Sequence, residues 1–252
     1  RYPLLSSAIL AGASAQLRNA ATNGGNLLQR TRCYYFYDTA TPCNKREPHS
    51  GCGAIGGMNR IHAVLGASDQ CIATHPSDMC VALRALNAAI QVEGPDGKRV
   101  IAIADFHRLP GETPQRDTVL RPGELITGID LPPETFTRHY TYLKLRDRLS
   151  YAFALVSVAV ALDIKEGLIH EARVALGGVA HKPWRVEEAE SLLVSSAPTD
   201  AVFTGFADAL LSGAVGRGHN DFKIELARRA IKRALRQASR GTAQSQAIKS
   251  IA

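Results

Sequence analysis

Arg18-Asn19-Ala20-Ala21-Thr22-Asn23-Gly24-Gly25-Asn26-Leu27 closes an alanine-rich stretch, Leu4 to Ala21, that only Gly12 interrupts and that reads as a helix. Asn23-Gly24-Gly25-Asn26 is the turn that ends it. Glycine lets backbone amides approach a ligand closely, and Thr22 and Asn26 add hydrogen-bonding side chains, so this turn suits a diphosphate. The same residue types also make ordinary surface turns. No Gly-Lys-Thr or Gly-Lys-Ser occurs, which excludes a Walker loop.

Downstream, Arg30 to Pro76 is rich in Cys, Tyr, Gly and Pro and lacks periodic apolar patterning. Loops of that length are uncommon inside compact domains unless something holds them. Cys33, Cys43, Cys52 and Cys71 fall in this segment, with 9, 8 and 18 residues between neighbours. Disulfides, an iron–sulfur cluster and unpaired thiols are all compatible with that spacing. Zinc is disfavoured, because structural zinc sites bring cysteines in close C-x2-4-C pairs. A [4Fe–4S] cube accepts one thiolate per iron from separated positions, and Gly51, Gly53, Gly56 and Gly57 suit a loop wrapped round a bulky inorganic core. Cys80 stands apart as a small buried thiol.

Pro76-Ser77-Asp78 offers helix-capping chemistry, with Met79, Leu83, Leu86 and Ile90 forming an apolar helical face up to the turn at Glu93-Gly94-Pro95-Asp96-Gly97. Val100–Ala104 and Leu125–Leu131 read as strands, the latter closed by Pro132-Pro133, where a domain boundary fits. Tyr140–Leu145, Ala152–Leu162 and Ile169–Leu176 read as further strands. Helices are predicted over Arg185–Val194, Thr199–Leu211 and Phe222–Ala238. No stretch approaches the roughly 18 apolar residues of a membrane-spanning helix. The net charge of +7 resides in Lys223–Lys249, where eight Lys/Arg face the single Glu225. With Ile224, Ala227 and Ile231 at helical spacing and no interleaved aromatics, that segment reads as the solvated face of an amphipathic helix, not as a nucleic-acid surface.

The Arg18–Leu27 stretch resembles the second FAD-binding loop of the molybdenum hydroxylase flavoproteins, R-N-x-A-T-x-G-G-N, with Asn23 where Ile or Val is more usual. Ala73-Thr74-His75-Pro76-Ser77-Asp78-Met79 is similar to their H-P-S-D segment, and Leu120-Arg121-Pro122-Gly123-Glu124-Leu125-Ile126 to their L-x-P-G-E-L-I. Tyr142–Arg146, Ala152–Ala159 and Ala175–Ala180 resemble their C-terminal domain. Arg32-Cys33-Tyr34, Cys43-Asn44-Lys45-Arg46, Gly51-Cys52-Gly53 and Cys71-Ile72-Ala73-Thr74-His75 look like the [4Fe–4S] insert of periplasmic aldehyde oxidase flavoprotein subunits.

The resemblance implies an α+β chain: the C-terminal two thirds of a PCMH-type FAD-binding domain (1–133, insert about 30–76), then an antiparallel sheet with helices (134–252) of the CO dehydrogenase flavoprotein C-terminal type. It implies a subdomain with the first diphosphate loop ahead of Arg1. Thr22, Asn23, Gly24, Gly25 and Asn26 would hold FAD diphosphate, Ser77 and Asp78 would lie near the ribitol or ribose, and Leu120 and Lys144 would flank the isoalloxazine ring. Cys33, Cys43, Cys52 and Cys71 would ligate one [4Fe–4S] cluster. The implied enzyme is a heterotrimer acting on aldehydes, with molybdopterin on a large subunit, [2Fe–2S] clusters on a small one, and this chain relaying electrons to an external acceptor. Substrate oxidation lies on another subunit, and the periplasm is the implied compartment. From a different class, the residues also suit a metal- or disulfide-stapled interaction module whose basic helix docks an acidic partner.

Overall fold

The computed structural model describes residues 1–133, 135–149 and 151–241. Glu134, Ser150 and 242–252, including Lys249 of the basic segment, lie outside the described residues. The first half runs α1 (Pro3–Ala11), α2 (Ala15–Ala20), α3 (Asn23–Leu27), α4 (Tyr34–Tyr37), α5 (Asp78–Ala85), β1 (Ala89–Gly94), β2 (Gly97–Ala102), α6 (Ile103–Phe106) and β3 (Leu125–Asp130). The second comprises β4 (His139–Leu145), β5 (Val156–Lys165), β6 (Leu168–Gly177), α7 (Glu187–Glu190), α8 (Asp200–Leu210) and α9 (Phe222–Ser239). They form two antiparallel three-stranded sheets, β2-β1-β3 and β4-β5-β6, the α+β architecture expected.

Strand β5 explains the layering of the second half. Its larger residues Val156, Val158, Val160 and Leu162 pack with Phe203, Phe206, Ile231 and Leu235 of α8 and α9. Alternate positions carry small Ala159 and Ala161, which pack with Leu4 and Ala8 of α1 and Val81, Ala82 and Ala85 of α5. A period of two thus places bulk on one face and close helix approach on the other. Helix α5 is buried along its whole length, because its opposite side, Met79, Cys80 and Leu83, packs on Ile90 and Val92 of β1.

Several elements differ from the sequence expectation. The Leu4–Ala21 helix breaks after Ala11: Gly12 turns extended and Ala13 takes φ 48°. Lys144 and Arg146 donate to the Ala11 carbonyl and Arg18 to that of Gly12, so cations satisfy the helix's C-terminal acceptors. The apolar face through Ile90 is not one helix. Asn87 adopts φ 54° and Ala88 N–H bonds the Leu83 carbonyl, a left-handed stop that frees Ala89–Gly94 to become the central strand β1. Strand β5 starts at Val156, and only Glu187–Glu190 of Arg185–Val194 is helical.

The insert has no strand among its described residues and is tied down by side chains. Arg46 donates to the carbonyls of Tyr35, Phe36 and Thr41, and Asn44 to Gln70. Gly53 and Gly57 make room for Tyr35: a Cβ on Gly53 would lie 2.6 Å from the ring, and one on Gly57 2.4 Å from the hydroxyl. Lys223 departs from the solvated-face reading, since it is fully buried and donates to the Ile61, His62 and Gly178 carbonyls. With Asn220, which donates to Ala63, it fastens the insert onto the second half.

Candidate cofactor site

Thr22 caps α3, its Oγ1 accepting the Gly25 N–H at 3.0 Å. Thr22, Asn23 and Gly25 are exposed, and Gly24 lies over Ile126. A Cβ on Gly25 would stand 3.0 Å from Thr22 Oγ1, so glycine keeps the turn tight. Asn26 Oδ1 accepts from Ser77 Oγ at 2.7 Å and from Gln29 at 2.6 Å, while Ser77 Oγ caps α5 by accepting the Cys80 N–H. Two motifs 51 residues apart are therefore joined by one side-chain hydrogen bond.

Asp78 and Lys144, read from the sequence as contacts to different parts of the cofactor, form one buried ion pair at 2.8 Å. Tyr142 donates its hydroxyl to the other Asp78 oxygen at 2.7 Å, and burial pushes the Tyr142 phenol well above its ordinary range. Lys144 also donates to Ala11, so this lysine is part of the interior, not solvated surface. Leu120 is half-buried beside Val119 on the β1–β2 core. In the Leu120–Ile126 motif, Glu124 accepts two N–H bonds from Arg99, at 2.6 and 2.7 Å, and the Arg121 N–H at 2.7 Å. Those bonds hold its carboxyl down to about 2, and they identify the glutamate as the lock of the turn.

Cys33, Cys43, Cys52 and Cys71 line one small cavity of the insert with Lys45 and His62. All are unbonded thiols, and Cys33, Cys43 and Cys71 are buried. Burial pushes Cys33 up to about 11 and Cys71 to about 12, so metal binding would have to displace their protons. His62 Nε2 lies 3.0 Å from Cys33 Sγ, and burial takes that imidazole down to about 4. Lys45, nearly inaccessible, pairs with Asp117 and donates to the Pro114 carbonyl. Among the described residues the four thiols do not gather within 4.8 Å of one another as ligands of a single ion would.

Tyr142, His62, Lys45 and Thr31, whose hydroxyl accepts the Cys33 N–H, were not singled out from the sequence. None sits in a local motif that announces its partner. His62 does fall between Cys52 and Cys71, a weak positional signal.

Comparison with known proteins agrees with these features. Residues 1–134 match the FAD-binding domain of molybdopterin dehydrogenases, and residues 139–238 match the CO dehydrogenase flavoprotein C-terminal domain. The chain is 54% identical over 238 residues to the aldehyde oxidoreductase FAD-binding subunit PaoB of Escherichia coli, covering 94% of this chain and 71% of that protein. It is 35% identical over 136 residues to the glyceraldehyde dehydrogenase medium chain of Sulfolobus acidocaldarius, covering 54% of this chain and 46% of that protein. A structure of reconstituted CO dehydrogenase from Oligotropha carboxidovorans superposes with a TM-score of 0.68 at 24% identity, over 95% of this chain and 68% of that one, and so shares the fold. Two domain matches in order, on a fold whose Thr22–Asn26 turn is bonded to Ser77, show that the chain belongs to the FAD-binding medium subunits of the molybdenum hydroxylases.

Proposed function

We propose that this chain is the electron-transfer subunit of a molybdenum-dependent aldehyde dehydrogenase, carrying FAD and one [4Fe–4S] cluster. The observation that carries the reading is the convergence of Cys33, Cys43, Cys52 and Cys71 on one cavity in a chain of the flavoprotein family. FAD, when bound, takes electrons singly from iron–sulfur centres and passes them on in pairs. Thr22, Asn23, Gly24, Gly25 and Asn26 hold its diphosphate side through backbone amides and short polar side chains. Ser77 is oriented toward the same place by Asn26. Asp78, buried and paired with Tyr142 and Lys144, fixes the start of α5 next to Ser77, and Leu120 supplies apolar surface for the ring system. Lys144 acts through Asp78 as a positioning residue.

On the cluster side, four thiolates are the ligands, while His62 contacts Cys33 Sγ and Lys45 places a buried cation near Cys71. The partners are a large molybdopterin subunit, where the aldehyde is oxidised, and a small [2Fe–2S] subunit; an external acceptor removes the electrons. The relatives' names, an aldehyde oxidoreductase subunit and a glyceraldehyde dehydrogenase chain, support an aldehyde as substrate. The periplasmic compartment implied by the insert belongs to the same proposal, and fractionation of cells producing the full-length chain checks it. The direct test is iron content after anaerobic purification of single Ser variants. Changes at Cys33, Cys43, Cys52 or Cys71 are expected to remove iron and Cys80→Ser to retain it; equal iron in all five overturns the ligand assignment.

A further inference from the structure

Outside the four-cysteine cavity, a ring nitrogen of His75, the thiol of Cys80 and a ring nitrogen of His107 all lie within 4.8 Å of one another. Cys80 is fully buried on α5, and His107, which follows α6, is only 3% exposed. The two imidazoles stand with ring centroids 4.2 Å apart. His107 Nε2 is 2.8 Å from the Leu27 carbonyl oxygen. A carbonyl only accepts, so the ring's proton sits on Nε2 and Nδ1 presents a bare lone pair. That Nδ1 is buried without a hydrogen-bond partner, as is His75 Nε2.

We propose that His75, Cys80 and His107 form a second, mononuclear metal site for a transition-metal ion of the imidazole–thiolate class. Ligands bonded at about 2.0–2.3 Å to one centre stand roughly 3.3–4 Å apart, so small side-chain adjustments close the observed set round one ion. Two imidazoles and one sulfur suit copper and zinc, and exclude magnesium and calcium, which take oxygen. No carboxylate belongs to the set. A cuprous ion with one thiolate is neutral, whereas zinc would leave a net positive charge beside Met79, Leu83 and Phe106, so charge favours copper(I). Binding exchanges the Cys80 proton for the metal; the proton goes to solvent and no electrons move. Such an ion would tie α5 to the segment after α6 and to the last residues of the insert.

The test uses the full-length protein in its complex, purified anaerobically from metal-replete cells, with copper, zinc and iron measured together. One copper or zinc ion per chain is expected, with an X-ray absorption shell of one sulfur and two nitrogens. His107→Gln and Cys80→Ser should each lose that ion while keeping iron and flavin. Cys52→Ser should lose iron and keep it, which separates this site from the proposed cluster. Wild-type protein without copper or zinc, or the same content in the His107→Gln and Cys80→Ser variants, overturns the proposal. Should a variant fail to fold, the wild-type metal count and absorption shell still decide.

Discussion

Asp78 holds the Tyr142 hydroxyl on one oxygen and the Lys144 ammonium on the other, all three side chains removed from water. Deleting the carboxylate would leave a buried lysine without its counter-charge. Asp78→Ala is therefore expected to destabilise the chain by about 3–5 kcal/mol, read from urea unfolding; a loss below about 1 kcal/mol would refute the structural role given to the pair. Glu124 makes a prediction about pH. Arg99 holds its folded-state carboxyl down to about 2 against an ordinary value of 4.5. The unfolded chain therefore binds the proton first, and the stabilisation is complete above 4.5 and fades as pH falls toward 2. The stability gap between wild type and Glu124→Gln should be wide at neutral pH and shrink on acidification through that window. A gap independent of pH would rule the mechanism out.

At the scale of elements, the insert depends on tight packing where regular structure is lacking. Gly53→Ala drives a methyl into the Tyr35 ring, 2.6 Å away, and should cost about 1–3 kcal/mol with loss of bound iron. Tyr35→Leu in the same chain should restore part of both, whereas unchanged melting of the single variant would show that the contact is slack. Lys223→Ala should loosen the insert from the second half, because three carbonyls lose their donor at about 1–3 kcal/mol each; faster proteolysis within residues 53–71 is the readout. Strands β4, β5 and β6 were legible in the sequence because they are short runs rich in β-branched and aromatic residues, β5 being buried throughout Val156–Leu162, and because a tight turn between Lys165 and Leu168 separates β5 from β6. Strand β1 was hidden, since Leu83, Leu86 and Ile90 also satisfy a helical period and only the left-handed Asn87 marks the stop. The role of Lys223 was hidden too, for a basic residue on a basic helix reads as solvated until the distant Ile61–His62 carbonyls are brought beneath it.

In the molecule as a whole, α5 joins the two sheets, and the insert lies between the α3 turn and α5 in the chain, fastened to the second half through Val64, Asn220 and Lys223. The flavin turn was readable because its glycines, threonine and asparagine are contiguous. The Asp78–Lys144 pair, 66 residues apart, and the His62–Cys33 contact exist only once the fold is formed. This arrangement places a flavin-family turn and a four-thiol cavity on one frame, and the central claim is that one chain carries both groups. The most direct test counts iron, acid-labile sulfide and flavin in the anaerobically purified heterotrimer. Taking the proposed small subunit to carry two [2Fe–2S] clusters, the account predicts about eight iron atoms and one FAD per trimer. About four iron atoms with one FAD would place no cluster on this chain and would contradict it.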